Sequence, residues 1–93
     1  MPRIIAPTSR QLLDLKPGST IFLGEESFTL VGNPWCNSTG KPGIHRIGMY
    51  AIRNSEAGAF IAAHGWHRAR PYYKPRMLHG QDITAVEPQE ELT

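Results

Sequence analysis

Thr20-Ile21-Phe22-Leu23-Gly24-Glu25-Glu26-Ser27-Phe28-Thr29-Leu30-Val31 is the stretch that decides the fold. Two β-prone runs flank a short polar turn containing a glycine, the pattern of an antiparallel hairpin. In the second run, alternation puts Phe28 and Leu30 on one face. A second strand signal follows at Ile44 to Arg53, where Ile47, Met49 and Ala51 alternate with Arg46, Gly48 and Tyr50. Asn54 to Gly58 reads as a compact turn and Ala59 to Ala63 as the returning strand. Ile83 to Val86 makes a last strand before Pro88.

Outside these runs the pattern changes. Residues 1–7 read as extended. Thr8 or Ser9 can cap a short helix through Leu15, because a hydroxyl accepts the unpaired N–H groups of a first turn. Lys16-Pro17-Gly18 ends it. Gly32 to Gly43 is rich in glycine, proline and polar residues, which predicts a long loop around Trp35 and Cys36. Within residues 64–80, Pro71 and Pro75 argue against a central strand beyond Ala69, so an exposed loop with one short turn of helix is expected there. Five strands with a brief N-terminal helix predict a mostly β protein, a small antiparallel five-stranded SH3-like barrel. Barrel closure would remove unpaired edges. An open α+β sheet with the helix across it is the alternative.

The chain has 93 residues, which suits a single domain spanning 1–93. One cysteine leaves no internal disulfide, a pattern suited to a reducing compartment. No apolar stretch approaches the roughly 20 residues of a membrane span. No charged leader followed by an apolar run opens the chain, so a cytoplasmic protein that makes no membrane contact is expected.

Charge separates along the chain more than its formal total of +2 suggests. Residues 38–80 hold Lys41, Arg46, Arg53, Arg68, Arg70, Lys74 and Arg76 against Glu56 alone, a surplus of +6. Residues 81–93 carry Asp82, Glu87, Glu90 and Glu91 with no base, and 87–93 reads as a frayed acidic tail. Such polarity suits an anionic partner, or a tail that folds back to shield the basic region.

Residues 64–76 concentrate the functional signal. Trp66, His67, Arg68, Arg70, Tyr72, Tyr73, Lys74 and Arg76 interleave rings with cations. Cations hold phosphates, and flat rings stack on bases at about 1–3 kcal/mol each. Arg46, Tyr50 and Arg53 extend the surface along the neighbouring strand. The expected function is therefore non-catalytic binding of single-stranded RNA or DNA through these eleven residues. In the bland alternative, Trp66 and Tyr72 plug the core and the arginines only solvate the surface. A sharper alternative is a small protein-binding adaptor or inhibitor, of phage or mobile-element type, whose basic-aromatic loop engages an acidic protein partner.

Catalysis and cofactors have weaker support. His64 and His67, with Cys36, His45 and His79, lack the paired spacing of a zinc site, and no cofactor is expected. Cys36 behind Trp35 reads as an inert thiol. His67 beside Arg68 or Arg70 would suit a metal-independent ribonuclease, but nothing supplies the second acid or base. No phosphate-binding glycine loop is present.

Overall fold

The computed structural model describes residues 3–37 and 43–89. Lys41, and Glu90 and Glu91 of the acidic tail, lie outside the described residues. In chain order the elements are β1 (Ile4–Ile5), α1 (Ser9–Leu13), β2 (Thr20–Leu23), β3 (Glu26–Leu30), β4 (Trp35–Cys36), β5 (Ile47–Arg53), α2 (Asn54–His64), α3 (Trp66–Ala69), β6 (Arg76–His79) and β7 (Ala85–Glu87). Short 3₁₀ turns at Ile44–Arg46 and Gly80–Asp82 precede β5 and β7.

The hairpin forms with β2 and β3 in register from Thr20↔Thr29 to Leu23↔Glu26, joined by Gly24-Glu25. β3 continues onto β5 through Phe28↔Arg53 and Leu30↔Ala51. On the other side, β2 takes β7 (Ile21↔Val86), and β7 takes β1 (Ile4↔Val86). All pairings are antiparallel. Gly48 pairs with both Trp35 and His79, and Ala51 with both Leu30 and Arg76. A strand has two edges, so β6 occupies one edge of β5 while β3 and β4 share the other. From Leu30 to Trp35 the chain spends five residues against three from Ala51 to Gly48. Gly32-Asn33-Pro34 is thus extruded as a wide bulge, and β3 and β4 are two halves of one interrupted strand.

The protein is therefore a small, mostly sheet, antiparallel domain with helices added, and its seven-stranded sheet does not close into a barrel. The expected five-stranded SH3-like barrel is corrected here for a specific reason. Asn54 to Gly58 is not a turn and Ala59 to Ala63 is not a strand: both belong to α2. Four alanines favour helix, and Ala57, Phe60 and Ile61 fall at i, i+3 and i+4 on one face. Three further short strands, β1, β4 and β6, come from segments expected to be extended or looped. β6 starts directly after Pro75, where proline removes no ladder donor from the strand that follows. Among the described residues the open edges are short: β1 and β4 have two residues each and β6 has four, with Arg76 and His79 exposed.

Adjacent strand residues point to opposite faces, and both faces carry a core. On the first, Ile21, Phe28, Leu30, Ile47, Met49, Ala51, Leu78 and Val86 meet Leu12 and Leu15 from the α1 region. α1 is held by a capping box. Gln11 N–H donates to Thr8 Oγ1 at 3.2 Å, and Thr8 N–H donates to Gln11 Oε1 at 2.9 Å. On the second face, Val31 and Ile52 pack against Ala57 of α2 and Ala69 of α3, with Phe60, Ile61, Trp66 and Tyr73 around them. Gly65 divides the two helices at φ +89°, a backbone state that a side chain would strain. Asn54 locks α2 to β3: its Oδ1 accepts from Thr29 Oγ1 at 2.6 Å and its Nδ2 donates to Ser27 Oγ at 3.0 Å.

Candidate functional site

α2 and α3 cover only part of the second sheet face. Beyond them, Gly48 and Tyr50 of β5 lie beside Trp35 of β4 and Met77 and His79 of β6, all on that face by register. Tyr50 is 47% and Met77 45% exposed. The Trp35 ring lies across Gly48, where a Cβ would sit 2.7 Å from Trp35 Cζ2. Glycine is thus what lets the indole settle on the sheet. There the indole N–H donates to Asn37 Oδ1 at 2.9 Å, and the ring packs against Tyr50 with centroids 5.2 Å apart.

The segment after α3 forms a ridge beside this face. Arg70 N–H donates to Trp66 O at 3.2 Å, and the N–H groups of Tyr72 and Tyr73 donate to Ala69 O at 3.0 and 2.9 Å. This helical and turn path sends positions two apart to different sides. Arg70, Lys74 and Pro75 line a groove of about 320 Å³ with Val31, Gly32 and Tyr50. The extruded Gly32 forms part of its wall, so the bulge between β3 and β4 helps to shape it. Arg68, Pro71 and Tyr72 line a second groove of about 390 Å³ with Phe60 and His64. Among the described residues, Arg68, Arg70 and Lys74 take part in no ion pair.

The eleven residues singled out from the sequence therefore divide. Tyr50, Arg70 and Lys74 meet in one groove, and Arg68 and Tyr72 in the next. Trp66 and Tyr73 are half-buried against the second core, so they fasten the ridge rather than present rings to solvent. His67 is exposed but stacks on Trp66, with centroids 3.6 Å apart. Arg53 and Arg76 sit elsewhere, in a charge chain at the β5–α2 junction. Arg53 Nε lies 2.8 Å from Glu26 Oε2, Arg53 Nη1 3.5 Å from Glu56 Oε1, and Arg76 Nη2 2.8 Å from the same oxygen. The Arg53 Nε contact is close enough for charge pairing but misaligned for a hydrogen bond. Arg46 lies in the 3₁₀ turn at the Trp35 end of β5, where its carbonyl accepts from Asn37 N–H at 2.8 Å.

Sequence reasoning placed Trp35 in a loop and missed Phe60 and Met77. Trp35 reaches the face only through its pairing with Gly48. A tryptophan thirteen residues before a glycine carries no local sign of that.

Among the described residues, no three His, Cys, Asp or Glu side chains come together as a metal site. Cys36 is a half-buried free thiol on β4. No helix of the described residues is long and apolar enough to cross a membrane. Comparison with protein-family models, curated proteins and solved structures finds no match to this chain.

Proposed function

We propose that this protein is a non-catalytic binding domain for single-stranded nucleic acid, with Tyr50, Arg70 and Lys74 at the centre of the contact. One observation carries the reading: an exposed ring on an uncovered sheet face sits in the same groove as two cations that no described carboxylate neutralises. Ring and cation are the two groups a single strand requires. The ring stacks on a base, and the cations replace counterions along the phosphates. A sheet-borne ring is held more firmly than one on a loop, so less side-chain freedom is lost on binding. Trp35 extends the platform beside Tyr50, and the extruded Gly32 keeps the groove open at its far wall.

Duplex DNA fits less well. The described elements offer no free helix to enter a major groove, since α2 and α3 both pack on the sheet.

The exposed Met77 beside Tyr50 favours a second reading, in which an acidic protein with an apolar anchor covers the same face. Salt dependence separates the two. Binding of single strands through Arg70 and Lys74 releases counterions, so log K should fall with log salt at a slope of about −1.4. A protein interface anchored on Met77 and Tyr50 depends less on salt and loses affinity on truncation of either residue. The test is a salt series with single-stranded RNA, single-stranded DNA and duplex DNA. Failure to bind any of them at low salt would refute the nucleic-acid reading.

A further inference from the structure

The larger groove, on the other side of the ridge, is not needed to hold a base on Tyr50. Among the described residues its lining is Phe60, His64, Arg68, Pro71 and Tyr72, so it contains rings, a proline and one guanidinium and no described carboxylate. Phe60 is the hub: its centroid lies 4.7 Å from that of His64 and 5.7 Å from those of Tyr72 and Tyr73. Tyr73 turns inward to the second core, whereas Tyr72 stands 74% exposed and lines the groove. A large ring left so open beside a second ring offers stacking area that the folded chain itself does not use.

We propose that this groove is a second nucleotide subsite, in which one base packs against Tyr72 and Phe60 while its phosphate meets Arg68. The inference rests on the single-strand reading above and extends it from one contact to a two-site footprint. Three observations support it. The volume of about 390 Å³ falls within the range of about 300–1,000 Å³ typical of small-ligand sites. The charge is complementary, since Arg68 has no ion-pair partner among the described residues. The two grooves are also close together: Arg70 lines one and Tyr72 the other, and two residues span at most about 7 Å. A strand lying on Tyr50 thus has the second groove within reach across the ridge.

The experiment titrates the intact protein with single-stranded oligouridylate and oligothymidylate octamers and compares Tyr72→Ala, Tyr72→Phe and Arg68→Ala with the unaltered chain. Because Tyr72 and Arg68 are exposed, these changes leave the fold in place, and a melting curve for each variant verifies it. Tyr72→Ala should weaken octamer binding about 5- to 150-fold, with Tyr72→Phe retaining most of the affinity because stacking needs the ring and not the hydroxyl. Arg68→Ala should reduce the salt slope by about 0.7. Octamer binding that is weakened by Tyr50→Ala, measured alongside, but is unaltered by Tyr72→Ala and Arg68→Ala would overturn the second subsite and leave the first intact. Equal losses in Tyr72→Phe and Tyr72→Ala would also overturn it, because the hydroxyl and not the stack would then be responsible. No octamer binding by the unaltered protein would remove both.

Discussion

Replacing Gly48 by alanine tests how the aromatic platform is held. The new Cβ would lie 2.7 Å from Trp35 Cζ2 and 2.9 Å from Cε2, against ordinary contact at 3.4–4 Å. The indole is rigid, so the whole ring must withdraw from the sheet by roughly 1 Å rather than bend away from the methyl group. Withdrawal strains the 2.9 Å hydrogen bond to Asn37 and opens the 5.2 Å contact with Tyr50. An aromatic pair contributes about 0.5–1.5 kcal/mol and a hydrogen bond a similar amount. Against this, alanine in a strand gains about 0.5–1 kcal/mol over glycine. The net expectation is a loss of about 1 kcal/mol, lowering Tm by about 4–8 °C for a domain of this size. Urea unfolding measures the loss, and the Trp35 indole N–H resonance reports the displaced ring. The decisive control is the Trp35→Ala background, where Gly48→Ala has nothing to clash with and should be neutral or stabilising. An unshifted indole resonance with full stability in Gly48→Ala, or the same penalty in both backgrounds, would refute the argument.

Four further outcomes are expected. Arg68→Ala combined with Arg70→Ala should abolish oligonucleotide binding while Tm stays within a few degrees, since both side chains are exposed and unpaired among the described residues; thermal melts beside anisotropy titrations check this. Gly80→Ala should destabilise by about 1–3 kcal/mol in chemical denaturation, because its Cβ would meet Ile44 O at 2.5 Å and Leu12 Cδ1 at 3.2 Å. Asn54→Ala should cost about 1–3 kcal/mol by the same assay, as Thr29, 7% exposed, and Ser27 lose their partner between β3 and α2. Deleting residues 90–93 removes Glu90 and Glu91 and should raise nucleic-acid affinity at low salt but not at high salt. The cut spares β7 and the 2.9 Å bond from Gln89 N–H to Ser19 Oγ, so equal affinities at low salt would end the idea of a shielding tail.

The hairpin at 20–31 and the alternation along β5 were legible because their signals are local and both patterns end in buried side chains. Phe28, Leu30, Ile47, Met49 and Ala51 all reach the first core as the alternation predicts. α2 was not legible in the same way. Ala59 to Ala63 is a short apolar run, which periodicity alone cannot assign to helix or strand, and Gly58 mimics a turn. The helical period emerges only when Ala57, Phe60 and Ile61 are taken together with the core they share with Ile52 and Val31. The candidate site divides on similar lines. A basic-aromatic segment can be recognised by composition, so Arg68, Arg70, Tyr72 and Lys74 were candidates together with Tyr50, and the fold brings them to two neighbouring grooves. Which cations are neutralised depends on distant partners: Glu26 reaches Arg53, and Glu56 reaches Arg76, only after β3, β5, α2 and β6 have assembled. Trp35 was missed for the same reason, since its neighbours on the face come from β5.

The position of β7 between β1 and β2 governs the order in which this sheet can be completed. Among the described residues β1 has no other strand partner, and one edge of β2 stays bare until residues 85–87 are available. A chain emerging from a ribosome can form the β2–β3 hairpin early, but its first strand must wait for one of the last. Those pairings span most of the sequence, so closing them carries a large loop entropy and favours slow, all-or-none folding over piecewise assembly. Amide protons of Ile4, Ile21 and Val86 should consequently exchange together, through a single global opening, although more than sixty residues separate the last two.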